Sequence, residues 1–360
     1  MSCDFTFIQD FSYSQWGKSL QELKAFNPQD FLYNPQKQTL ALTLTLPFAF
    51  TQIQDLQQEL LTFVQSKQPE VTMLNLKLQY NISQRAAANG QETVKGVKNI
   101  IAVSSCKGGV GKSSVAVNLA AALANGGAKV GLLDADVYGP SIPHMLGAGD
   151  QQPTSDDQKT MNPVQVGNLV ANSIGFLVGE TDATIWRGPV ASSMLKQLMV
   201  ETNWPNLDYL VIDMPPGTGD IQLTVAQNLA VTAAVIVSTP QEIALLDVYK
   251  GVNMFRKLTI PVLGIVENMS MYTCPNCGFQ AHIFGKDGVK EMSQIMETPL
   301  LASIPLDPQV GHDLDLGVIT TASQPESSIG QVFNQLADQV AYQTYMRIKS
   351  AAPSINITQL

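Results

Sequence analysis

The chain has 360 residues, 45% of them hydrophobic and only 14% charged, with a formal net charge of −9. That length supplies core for two domains or one large one, and the apolar content excludes a disordered chain. The acidic balance argues against a nucleic-acid surface, which needs clustered Lys and Arg, and no apolar run approaches the roughly 20 residues that span a bilayer.

In chain order, the first 84 residues are rich in Gln and poor in Gly. The spacing predicts a helix over Gln15–Phe26. Thr39–Leu46 alternates, with Leu40, Leu42, Leu44 and Leu46 on one face, and reads as a half-buried strand stopped by Pro47. Thr51–Lys67 carries Ile53, Leu56, Leu60, Leu61 and Val64 at helical spacing. Val71–Tyr80 alternates again through Val71, Met73, Leu76 and Leu78, with one slip. Residues 1–84 are therefore expected to form a small α+β domain, and the polar stretch 85–96 a linker.

The rhythm then changes to apolar run, Gly-rich turn, helix. Strands are expected at Asn99–Ser104, Lys129–Asp134, Asp208–Asp213, Ala233–Ser238, Val262–Val266 and Leu300–Ile304. Their near-continuous apolar character is that of a parallel sheet buried on both faces. Helices are expected between them at Lys112–Asn125, Pro189–Glu201, Ile221–Leu229, Leu245–Lys257 and Lys286–Glu297, and a terminal helix at Ser327–Ile348. This is an α/β fold: a doubly wound, mainly parallel sheet over 97–348, followed by a loose tail, 349–360.

The strongest motif is Ser104-Ser105-Cys106-Lys107-Gly108-Gly109-Val110-Gly111-Lys112-Ser113-Ser114. It follows an apolar strand and opens a helix, as a phosphate-binding loop requires. Backbone N–H groups and the helix N-terminus would cradle ATP phosphates. Lys112 would sit on the β- and γ-phosphates, and the Ser113 hydroxyl on Mg²⁺. Lys107, five residues before Lys112, marks the deviant Walker A class, in which this lysine reaches the nucleotide of a partner subunit. The alternative, a solvated loop lysine, carries no such chemistry.

Two carboxylate sets flank this loop. In Leu132-Leu133-Asp134-Ala135-Asp136, residues i and i+2 share a strand face. Asp136 is placed to orient the attacking water, and Asp134 to stand behind the metal. Tyr209-Leu210-Val211-Ile212-Asp213 is a Walker B strand, with Asp213 in the Mg²⁺ shell. In the following Met214-Pro215-Pro216-Gly217, Gly217 could bring its N–H to the γ-phosphate.

Cys274-Pro275-Asn276-Cys277-Gly278 resembles the knuckle of a metal site. A redox pair, a self-contained zinc site and half of a Cys₄ site shared between two subunits compete. The trailing Gly278 speaks against the first, and the absence of a fourth ligand at Asp287 against the second. A shared Cys₄ site fits one [4Fe–4S] cluster, and a Cys₄ zinc satisfies the same count. Cys3 and Cys106 look incidental. Four cysteines in 360 residues are no disulfide framework. With no signal peptide at Met1–Asp4, a cytoplasmic location is expected.

With these motifs in place, residues 97 to about 320 resemble the Mrp/ApbC family of iron–sulfur cluster carrier ATPases. The resemblance rests also on Asp134-Ala135-Asp136-Val137-Tyr138-Gly139-Pro140, Trp186-Arg187-Gly188-Pro189, Leu263 to Ser270, Ile283-Phe284-Gly285 and Pro305-Leu306-Asp307-Pro308. It implies a homodimer that hydrolyses ATP, holds a labile [4Fe–4S] cluster between two Cys-x-x-Cys pairs and passes it to apo-proteins. It implies that Asn268 contacts adenine. Two features depart from the family. Cys106 stands where glycine is usual, so a Cβ would crowd the loop. The stretch after the second N-terminal strand, Leu46-Pro47-Phe48-Ala49, lacks the cysteine that many members carry. The rivals are a partitioning-type ATPase, which would want a basic amphipathic terminal helix on a membrane, and a scaffold ATPase with a zinc-bridged dimer.

Overall fold

The computed structural model describes residues 4–88, 90, 91, 93–178, 188–217 and 219–351. Cys3, Trp186, Arg187, Thr218 and residues 352–360 therefore lie outside the described residues.

The first unit is a three-stranded sheet with β1 (Phe31–Asn34), β2 (Thr39–Leu46) and β3 (Met73–Tyr80), and helix α1 (Ile53–Lys67) crosses from β2 to β3. β1 runs antiparallel and β3 parallel to β2. The four alternating leucines of β2 are buried, as their period-two pattern requires. The slip in the third strand falls at Met73, which is 54% exposed, while Leu74 next to it points inward. The helix expected over Gln15–Phe26 does not form. Gly17 and Lys24 both hold positive φ, and each stops a helix from propagating. Trp16, Leu20 and Leu23 are buried nonetheless, because successive turns place them where a helix face would have done.

The second unit is an eight-stranded sheet in the order β13-β10-β9-β4-β8-β5-β7-β6. In chain order its elements are β4 (Val97–Ser104), α2 (Lys112–Asn125), β5 (Val130–Asp134), α3 (Ile142–Met145), β6 (Val164–Val166), β7 (Leu169–Ser173), α4 (Gly188–Val200), β8 (Leu207–Asp213), α5 (Asp220–Asn228), β9 (Ala233–Ser238), α6 (Glu242–Lys257) and β10 (Val262–Asn268). A hairpin of β11 (Tyr272–Thr273) and β12 (Gln280–Ala281) follows, then α7 (Gly288–Ile295), β13 (Leu300–Ile304), α8 (Pro308–Asp315), α9 (Thr320–Ser323) and α10 (Ser328–Arg347). Every pairing in the large sheet is parallel except β6 with β7. β4, β8 and β9 are almost wholly buried, which explains their unbroken apolar runs. The chain leaves β4 toward one side of the sheet and later returns to its other side. That reversal opens a crevice at the carboxyl end of β4, where a ligand fits in such sheets.

The two units meet through α10 and the turn after α2. Phe48 stacks edge-on against Tyr342 with ring centroids 5.4 Å apart, and Trp16 packs against Phe48. The Phe50 N–H donates to the Gly126 carbonyl at 3.2 Å. Gly127, at φ +84°, lies against the Tyr80 ring, and a Cβ there would overlap it. Asp338 of α10 is 4% exposed. It accepts from the Thr51 N–H at 2.8 Å, the Thr51 hydroxyl at 2.9 Å and the Gln52 amide at 3.0 Å.

Burial pushes the Asp338 carboxyl up to about 7, against the pull of those donors. A carboxyl raised on folding supports the fold fully below its unfolded value, near 4, and that support is lost as pH rises toward 7. Asp338→Asn removes the titration. In urea unfolding, the variant should gain on wild type between pH 4.5 and 7.5. A tenfold change in proton affinity is about 1.4 kcal/mol, so the gain should exceed about 1 kcal/mol. A pH-independent offset would count against this assignment.

Candidate nucleotide site and thiol hairpin

The loop of residues 105–111 joins β4 to α2 at the crevice. β8 lies beside β4, and β5 beside β8, so Asp213 and Asp134 end adjacent strands directly opposite each other. Both carboxylates are fully buried. The Lys112 ammonium, 6% exposed, pairs with one Asp213 oxygen. The Ser113 hydroxyl donates to the other at 2.6 Å. Burial pushes the Asp213 carboxyl up, and Lys112 and Ser113 pull it back.

Asp134 serves the loop that follows it. It accepts from the Asp136 N–H at 3.1 Å, the Ile142 N–H at 3.2 Å and the Ser173 hydroxyl at 3.0 Å. Burial first, and the Asp213 charge second, push it up to about 7. β5 ends at Asp134, so Asp136 does not share a strand face with it, contrary to the i, i+2 expectation. Asp136 is instead half-buried in the next loop, where burial raises its carboxyl and the Lys112 charge pulls it back, and the Gly139 N–H donates to its backbone carbonyl at 3.3 Å.

Gly217 comes back to the phosphate loop: its N–H donates to the Ser105 carbonyl at 2.9 Å. Asn268, at the end of β10, donates from its side-chain amide to the Val110 carbonyl at 2.8 Å. Beside it opens a cavity of about 200 Å³, walled by Gly111, Asn268, Met269, Pro305, Leu306 and Pro308. Phosphate loop, acidic strand ends and this mixed cavity together suit a nucleotide. In the phosphate loop Gly108 and Gly109 are exposed and Val110 is buried, and Ser114 lines the cavity. Lys107 is half-buried, and its ammonium has no ion-pair partner among the described residues.

The Cys106 Cβ does not crowd the loop. Its side chain turns away from the phosphate cradle and packs against Gly251 of α6. The site there is dry enough to push the thiol up to about 12. Sequence reading missed Gly251, because nothing local marks a helix glycine 145 residues on as the seat for a loop cysteine. It also missed the hydroxyl of Ser173 under Asp134.

Cys274 and Cys277 sit at the tip of the β11–β12 hairpin, half-buried and exposed respectively. The turn is closed by the Cys274 N–H to the Phe279 carbonyl and the Gly278 N–H to the Cys274 carbonyl, both 2.9 Å. The N–H groups of Asn276 and Cys277 and the Cys277 thiol hold the Cys274 thiol below its usual range. Among the described residues, no group of three or more His, Cys, Asp or Glu could hold a metal ion within this chain. His282 leans instead on the Ser270 carbonyl at 3.1 Å. No helix among the described residues is long and apolar enough to cross a membrane.

A family model described as a NUBPL iron-transfer P-loop NTPase of the ParA group matches residues 96–341. The chain is 54% identical over 307 residues to an iron-sulfur cluster carrier protein of Haemophilus influenzae, covering 85% of this chain and 83% of that one. It is 46% identical over 263 residues to the iron-sulfur cluster transfer protein NUBPL of Mus musculus, covering 72% and 81%. A nucleotide-binding protein from Archaeoglobus fulgidus, solved in complex with ADP, superposes with a TM-score of 0.58 at 38% identity, covering 66% of this chain and 93% of that one.

Gly251→Ala should drive its new methyl into Cys106 and distort the phosphate loop. ADP affinity, measured by calorimetry, should fall about tenfold or more, the scale of overpacking by one methyl. Cys106→Gly added to it should restore binding. No recovery in the double variant would mean that the contact does not govern the loop.

Proposed function

The chain belongs to the NUBPL-type iron-transfer P-loop NTPases of the ParA group, and from that premise we propose that it hydrolyses ATP and carries a [4Fe–4S] cluster to apo-proteins. The observation that carries this reading is the chain's course after β10. Asn268 walls the nucleotide cavity, and four residues later Tyr272 begins the hairpin that presents Cys274 and Cys277. One strand end thus serves both the nucleotide and the thiols.

In this reading Lys112 leaves Asp213 for the β- and γ-phosphates, and the backbone of Gly108 to Ser114 cradles them. Ser113 and Asp213 form an all-oxygen pair that fits Mg²⁺, which offsets phosphate charge when bound. Asp136 orients the attacking water, and the N–H of Gly217 turns from Ser105 to the γ-phosphate. Asn268 faces the adenine, with its amide already anchored on Val110. Lys107 of the partner subunit neutralises the developing charge, as an arginine finger does.

The cluster is cargo, and a single chain offers it two thiolates. Four ligands require a homodimer with the hairpins meeting on a two-fold axis. Phe279 and Ile283 beside the hairpin are 68% and 56% exposed, an apolar rim that a second copy would cover. A cluster held at such a rim is exposed enough to be handed on.

Anaerobic reconstitution with iron and sulfide should give about four irons per dimer. The double variant Cys274→Ala, Cys277→Ala should lose the iron and keep ADP binding. Iron retained by that variant, or zinc in place of iron in protein purified anaerobically, would overturn the cluster assignment. Lys107→Ala should keep ATP affinity while turnover falls by about 10³ or more, the scale of an arginine finger. Loss of binding in that variant would place Lys107 in its own subunit's site.

A further inference from the structure

Gln222 lies in the first turn of α5, just after the Walker B loop, and is 2% exposed. Its side-chain amide donates to the hydroxyl of Ser104, the last residue of β4, which is itself fully buried. Its oxygen, Oε1, is buried and has no hydrogen-bond partner among the described residues. Turning the amide over leaves its nitrogen end in that position, so one end is unpaired either way. A buried orphan of this kind costs about 1–3 kcal/mol, and native proteins keep few of them.

Its place in the fold gives the orphan a use. Ser104 and Ser105 are the root of the phosphate loop. The connection from Asp213 to α5 is tied to that root twice, by the Gly217 N–H on the Ser105 carbonyl and by Gln222 on the Ser104 hydroxyl. At its start, Asp213 holds Lys112 and Ser113. If the Gly217 N–H turns to a γ-phosphate, the first tie breaks; the Met214 N–H on the Val103 carbonyl still holds the start of the segment, and Gln222 is what remains to hold its far end to the root of the phosphate loop.

We infer that Gln222 is a positioning residue for ATP hydrolysis: through Ser104 it keeps Gly217 and the start of α5 in register with the phosphate loop while nucleotide is bound. Its free oxygen is the acceptor held in reserve for a donor, a water or a backbone N–H, that this rearrangement brings within reach. Gln222 acts through the segment it holds and touches no phosphate. The inference rests on the ATPase reading above.

The test compares Gln222→Leu, Ser104→Ala and their combination in the full chain. In Gln222→Leu, kcat should fall about tenfold to a hundredfold, the scale of a small misplacement of reacting groups. KM for ATP and affinity for ADP should stay within about threefold, and in the double variant, which leaves neither the amide nor the hydroxyl unpaired, the melting temperature should hold or rise. Ser104→Ala should reproduce the kcat loss, and the double variant should be no worse than either single one. Hydrogen exchange around Gly217 with AMPPNP bound should quicken in each variant. Turnover within twofold of wild type would overturn the inference. So would a kcat loss matched by weaker ADP binding and a lower melting temperature, or single effects that multiply. Were wild type itself to hydrolyse no ATP, the function reading would fail, and hydrogen exchange with AMPPNP would still decide the role of Gln222.

Discussion

A buried ammonium facing a buried carboxylate sets the terms for everything at the carboxyl edge of the large sheet. Lys112 is 6% exposed and Asp213 wholly buried. An isolated charge in such surroundings costs several kcal/mol, and the pairing offsets that cost. The pair ties the phosphate loop to the Walker B strand. In the proposed reading it makes nucleotide entry an exchange of partners: phosphate would take the lysine, and a cation the carboxylate with Ser113. Loop, strand end and helix start are already in place, so little ordering remains to oppose binding.

The same economy runs outward from that pair. Asp134, opposite Asp213, has no ion-pair partner among the described residues, and its oxygens accept from two N–H groups and a hydroxyl that shape the next loop. Asn268 ties β10 to the phosphate loop, and its strand continues almost at once into the thiol hairpin. The hairpin base is fastened beside β13: the Ser270 N–H bonds the Ile304 carbonyl, and the Leu306 N–H bonds the Met271 carbonyl. The cavity wall at Asn268 is thus joined to the hairpin by a few covalent bonds and these hydrogen bonds.

Much of this could be read in the sequence because it is written over short spans. The phosphate-loop motif from Ser104 to Ser114, the Walker B strand and the Cys-x-x-Cys knuckle each fit within about a dozen residues, and α2, β9 and β13 fall on their expected limits. Failures came where the deciding partner was distant or the backbone unusual. Helical spacing at Trp16, Leu20 and Leu23 was overruled by left-handed residues at Gly17 and Lys24. The short hairpin β6–β7 at the sheet edge was invisible because β7 leans on β5 and β6 on β7 rather than on a pattern of their own. Nothing near Cys106 announces Gly251, and nothing near Gln222 announces Ser104. The small sheet's seat on α10 was equally hidden, since Asp338 looks like any helix aspartate until Thr51 and Gln52 are beside it.

That seat has a consequence for how the chain is made. Thr51 meets Asp338 across 287 residues of sequence. At roughly 5–20 residues per second, a ribosome delivers the first partner about 15–60 s before the second. During that interval the small sheet has its aromatic flank, Trp16, Phe48 and Phe50, without the Tyr342 ring that closes over it. The last helix to emerge is thus the one that covers the first unit to form, and a nascent chain must shield an apolar face for most of its own synthesis.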